Sequence, residues 1–124
     1  MFLTEVYLSR FKPKYVPLSE VDALVQSKLH WILEGCNPTR VFLFGSAARN
    51  EFTDHSDIDF AVLFNTEQDL REARNTLFAR PRPDDWPQDI LLFVEMEYER
   101  KKKIGGVCMI IEEEGKLLYP KEPA

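Results

Sequence analysis

The sequence has 124 residues, 44% of them hydrophobic and 12% aromatic, which is enough to bury one core of ordinary domain size. A formal charge of −5 and a pI near 5.1 oppose sequence-independent binding to a nucleic-acid backbone, which needs clustered cations to displace counterions. No apolar run of about 18 residues occurs, and Met1 to Arg10 carry Glu5 among alternating apolar positions rather than a basic start and an apolar stretch. A cytoplasmic protein that does not enter the membrane is expected.

Residues 1–17 read as an irregular N-terminal extension, broken by Pro13 and Pro17, and the chain 1–124 as a single domain. Ser19 followed by Asp22 resembles a helix cap with an acidic first turn, and Val21, Leu24, Val25, Leu29 and Leu33 recur at helical spacing until Gly35. His30, between Leu29 and Trp31, reads as a half-buried histidine with no chemical role. Cys36 and Cys108 lack CxxC spacing and read as buried, reduced thiols. After Asn37-Pro38-Thr39, the run Val41-Phe42-Leu43-Phe44 is short and β-prone and is stopped by Gly45-Ser46, which predicts a buried strand.

Residues 46–52 allow one or two short helical turns, and Thr53 to Ser56 form a polar loop. A second strand is expected from Asp57 to Phe64, then a helix over Thr66 to Arg80, capped near Asn65 or Thr66, with Leu70, Ala73, Leu77 and Phe78 on one side. Arg80-Pro81-Arg82-Pro83 ends it. Asp89 to Val94 is a third apolar run, the chain turns charged from Glu95, and a last helix is expected over Ile104 to Glu114 despite Gly105 and Gly106. Leu117 to Tyr119 reads as a short strand or edge segment. The order predicts a mixed α/β (α+β) fold, a small sheet of three apolar strands covered by helices.

Chemistry concentrates in Phe44-Gly45-Ser46-Ala47-Ala48-Arg49 and, with ten residues between Ser46 and Asp57, in Asp57-Ile58-Asp59. A strand that ends in Gly-Ser and enters a helix start turns backbone amides toward a phosphate, and glycine permits close approach. The Ser46 hydroxyl adds a donor, and Arg49, one step further along, is a second phosphate-binding candidate. On a strand, Asp57 and Asp59 share one face while Ile58 and Phe60 enter the core. Two such carboxylates about 6 to 7 Å apart repel by about 2 to 3 kcal/mol at an effective dielectric near 20, a cost that a bound cation converts into attraction. Magnesium takes one or two carboxylates together with substrate phosphate oxygens. Asp89, opening the third strand, is the candidate for a third carboxylate that completes the metal site or activates an attacking hydroxyl.

Gly45, Ser46, Asp57 and Asp59, with Asp89 by order along the chain, resemble the signature of the DNA polymerase beta nucleotidyltransferase superfamily, in its minimal form. The likeness runs from about Pro17 to Tyr119, and Asn50 departs from it by standing where many relatives carry glycine. The resemblance implies a nucleotidyltransferase-like fold, Mg2+ held by Asp57, Asp59 and Asp89 as one ion or two, and a nucleoside triphosphate, ATP foremost, at Gly45, Ser46 and Arg49. It implies transfer of a nucleoside monophosphate with release of pyrophosphate. No second domain to grip an acceptor is recognisable, so the acceptor is expected on a small molecule, a partner protein or a second subunit. In small relatives that partner is often a helical toxin of the HEPN class, neutralised by addition of AMP.

A competing reading is a non-catalytic antitoxin that silences its partner by occlusion. A single-strand nucleic-acid polymerase would need a basic groove with stacking aromatics, against which the negative balance argues. His55, on the parity of Asp57, reads as a surface loop residue, and Arg100-Lys101-Lys102-Lys103 as a solvated helix face or a patch for an acidic partner. Which nucleotide is used, which acceptor, and the oligomeric state stay open.

Overall fold

The computed structural model describes residues 12–120. Helix α1 (Leu18–Gly35) leads to strand β1 (Arg40–Phe44), the single turn α2 (Gly45–Ala48), β2 (Ile58–Phe64), α3 (Glu67–Ala79) and β3 (Gln88–Val94). Helices α4 (Glu95–Lys101) and α5 (Val107–Glu114) follow, then β4 (Lys116–Tyr119). The sheet order is β3-β2-β1-β4, with β1 antiparallel to both β2 and β4, and β2 parallel to β3. The mixed α/β architecture expected from the sequence is therefore found, with β4 as a fourth strand on one edge.

Alternation along the strands divides the core into two layers. Val41, Leu43, Ile58, Phe60, Val62 and Ile90 face α1 and α3, while Phe42, Phe44, Ala61 and Leu63 pack with Tyr98 of α4 and Cys108 and Ile111 of α5. Central strand β2 is buried throughout except at Asp59. That exception locates the site.

Local details depart from the sequence expectation in several places. Pro17, rather than Ser19, stands at the cap of α1, where its carbonyl accepts from the amides of Glu20 and Val21. Of the one or two helical turns allowed after β1, one is found, over Gly45–Ala48, while β2 begins at Ile58 and leaves Asp57 just outside the strand. The helix expected over residues 104–114 starts only at Val107, because Gly105 and Gly106 both take positive φ. Helix α4 was not anticipated, since Tyr98 is its one buried side chain and no apolar stripe marks it. His30 is exposed and pairs with Glu34 at 2.6 Å, because the turn of α1 carries it away from the buried Leu29 and Trp31. Thr66 does cap α3, accepting from the Asp69 amide.

Both cysteines are free thiols, Cys108 buried and Cys36 half-buried. Of the expected irregular extension, residues 1–11 lie outside the described residues. Tyr15 within the remainder forms a bridge with Thr53. Among the described residues no helix is long and apolar enough to cross a membrane.

Candidate active site

The sheet brings the sequence-distant acids to one edge. In the parallel ladder Asp59 is the register partner of Asp89, and in the antiparallel ladder Asp59 lies opposite Phe44, the residue before Gly45. Parallel partners stand about 4.8 Å apart and point the same way. Asp59 and Asp89 therefore share the face of Ala61 and Leu91, at the open end where β2 and β3 both begin. Asp57 precedes Asp59 by two residues; it and Asp89 are exposed, while Asp59 is half-buried.

Gly45 is required here for two reasons. Its φ of +72° is one that L side chains rarely adopt, and a Cβ at this position would collide with the Asp59 carboxylate. The carboxylate thus lies directly against the backbone where β1 turns into α2. The α2 turn begins from extended Phe44 with no side chain capping its first amides. Ser46 is half-buried at this turn. Asn50 has φ +58°, a left-handed backbone that asparagine tolerates better than most residues.

Electrostatics join the same residues. The Asp59 carboxyl is pushed up to about 6, first by burial, then by the charges of Asp89 and Asp57, with Arg49 pulling the other way. Three acids and one cation therefore act on one another at this edge. Among the described residues no three or more acidic, histidine or cysteine side chains are grouped so as to hold a metal ion by themselves. The fit to a divalent cation rests instead on the mutual repulsion that a cation would relieve, and on hard oxygen donors along an accessible edge.

Arg49 is exposed and donates to Glu51 at 3.1 Å and to Glu114 at 3.4 Å. His55 lies 3.9 Å from Asp54, in the polar loop. The cations after Glu99 are largely occupied within the fold: Arg100 and Lys101 pair with Glu97, and Lys102 with Glu99 and Glu112. These pairings favour the solvated-face reading of that run.

Sequence reasoning passed over Lys28. This lysine is fully buried, and its ammonium donates to Asp84, to the Trp86 carbonyl and to Gln88 at 2.8 to 2.9 Å. The signal was present, since position 28 falls on the stripe formed by Val21, Val25 and Ile32.

Residues 27–124 match the family model described as Polymerase beta, Nucleotidyltransferase. The chain belongs to this family, whose chemistry is nucleotidyl transfer. The fold is similar to the crystal structure of a candidate nucleotidyltransferase from Sulfolobus solfataricus, with a TM-score of 0.57, 19% sequence identity and 86% of each chain covered. No curated protein matches the chain.

Proposed function

We propose that this chain is a metal-dependent nucleotidyltransferase that moves AMP from ATP to a hydroxyl of a partner protein or small molecule, in the reducing cytoplasm. The observation that carries the reading is the register of Asp59 with Asp89, beside a glycine that only a missing side chain lets the Asp59 carboxylate approach. The Gly45-Ser46 turn, without a side-chain cap, is suited to receive the triphosphate, with Arg49 leaving its surface glutamates to contact it.

A divalent cation such as Mg2+, held by Asp57 and Asp59 with Asp89 available for a second, would neutralise the triphosphate and the departing pyrophosphate. Asp89, exposed at the rim, would accept the proton of the acceptor hydroxyl. The hydroxyl oxygen then bonds to the α-phosphorus, the bond from that phosphorus to the bridging oxygen breaks, and pyrophosphate leaves with the bonding pair. The exposed rim supports a macromolecular acceptor, because the reacting edge is not enclosed. We assign a helical HEPN-type protein as that acceptor, neutralised as a toxin by its antitoxin.

The test incubates the purified chain with ATP, Mg2+ and the protein encoded beside it. The expected result is a mass gain of one or more adenylate groups on the neighbour. Asp57→Asn combined with Asp59→Asn should lower the transfer rate by roughly a thousandfold, the equivalent of several kcal/mol of charge stabilisation. A double variant that neutralises the neighbour as well as the parent would mean occlusion rather than transfer.

A further inference from the structure

The loop that delivers Asp89 is held by a cation from another element. Lys28, on α1 and 0% exposed, uses its three ammonium protons on Asp84 Oδ1 at 2.8 Å, the Trp86 carbonyl at 2.9 Å and Gln88 Oε1 at 2.8 Å. All three acceptors precede Asp89 within a few residues. Asp84 also accepts the Trp86 amide at 2.9 Å.

Trp86 extends the connection to the other acids. Its indole Nε1 donates to the Ser56 carbonyl at 2.9 Å, and its ring lies 5.5 Å from that of Phe52. The Ile58 amide donates to the Pro87 carbonyl at 3.0 Å, which starts the parallel ladder. One buried ammonium and one indole thus tie the chain just before Asp89 to the chain just before Asp57. An apolar side chain would fill this stripe of α1 without the desolvation cost of a buried charge. What the ammonium adds is convergence of three oxygens from a proline-rich loop.

We propose that Lys28 is a positioning residue that sets Asp89 relative to Asp57 and Asp59, and so fixes the spacing at which cations are held. This inference rests on the reading of those aspartates as metal ligands. Fully buried and with its three protons used inside the fold, Lys28 acts through the loop and not by contact with a substrate.

Two variants test it, Lys28→Met and Trp86→Phe, the second keeping a ring against Phe52 while removing the indole donor. On folded protein at low temperature, Lys28→Met should weaken Mn2+ binding about tenfold, the usual scale for loss of an outer-shell contact. Amide exchange at Gln88 and Asp89 should accelerate. The transfer kcat, normalised to the folded fraction, should fall by about the same factor with KM for ATP little changed; a uniform loss of stability would lower only the uncorrected kcat and would leave Mn2+ affinity per folded molecule as in the parent. Trp86→Phe should move all three readouts the same way by a smaller factor. A folded variant with parental Mn2+ affinity and kcat overturns the positioning role, and Trp86→Phe decides the matter if Lys28→Met does not fold. If the parent chain itself binds no Mn2+, the metal reading fails before any substitution, and this inference falls with it.

Discussion

At the Arg40 end of the sheet, Glu95 accepts two bonds from one guanidinium at 3.0 and 2.7 Å, whereas at the Gly45 end Asp59 faces Asp89 and Asp57 with Arg49 as the opposing charge. Around Arg40 the pairing continues: Glu99 accepts at 3.1 Å, and the guanidinium sits 5.3 Å from the ring centres of Phe42 and Tyr98. Hydrogen bonding to Arg40 holds Glu95 below the usual carboxylate range, while burial and like charges raise Asp59 to about 6. One end of a four-stranded sheet is electrostatically closed. The other leaves carboxylates facing one another with a single exposed guanidinium opposing them.

Substitutions can break this contrast. The largest effect on stability is expected from Gly45→Ala, about 2 kcal/mol from left-handed backbone strain and displacement of the Asp59 carboxylate, read by chemical denaturation. Mn2+ titration should show the same variant losing affinity. Glu95→Gln should cost about 1 to 1.5 kcal/mol by removing a charged acceptor from the Arg40 fork. Without metal, Asp59→Asn should act in the opposite sense and stabilise the chain by about 1 kcal/mol at pH 7, since it removes a half-buried charge beside two others.

Acidity sharpens the contrast because the two ends respond with opposite sign. Glu95 titrates lower in the folded chain than its ordinary 4.5, so its contribution is present above that pH and is lost as pH falls through the lowered value. Asp59 titrates near 6 against an ordinary 3.8, so the folded chain holds the extra proton between about pH 4 and 6, and stability declines as pH rises through that window. The advantage of Asp59→Asn over the parent should therefore be full at pH 7 and nearly gone at pH 4, measured by denaturation in chelator. Mn2+ binding by the parent should weaken below about pH 6, because the proton on Asp59 competes with the cation.

Strands β1, β2 and β3 and helices α1 and α3 were legible because each carries an apolar run or stripe, although of β3 only Ile90 is buried, and the Gly45-Ser46 and Asp57-Asp59 spacing located the acidic end. That Asp89 is the ladder partner of Asp59 could be anticipated only by order along the chain, since strand register leaves no mark in residue spacing. Helix α4 was hidden for another reason: residues 95–101 are held by ion pairs and by Tyr98, which hydropathy cannot report. Lys28 escaped because a lysine in a helix ordinarily reaches solvent, and its acceptors lie 56 to 60 residues away. Charge partners distant in sequence are fixed by tertiary packing.

The parallel pairing of β2 with β3 obliges the chain to travel back along the outside of the sheet through α3 before Asp89 can take its place. Two acids are thus located by counting along the chain into β2, while the third is located by its neighbour across the ladder. The return path, exposed at Pro81, Arg82 and Pro83, can change in length or composition without altering which carboxylates meet. A change in that segment would reshape the rim beside the aspartates while leaving the register of Asp59 with Asp89 in place.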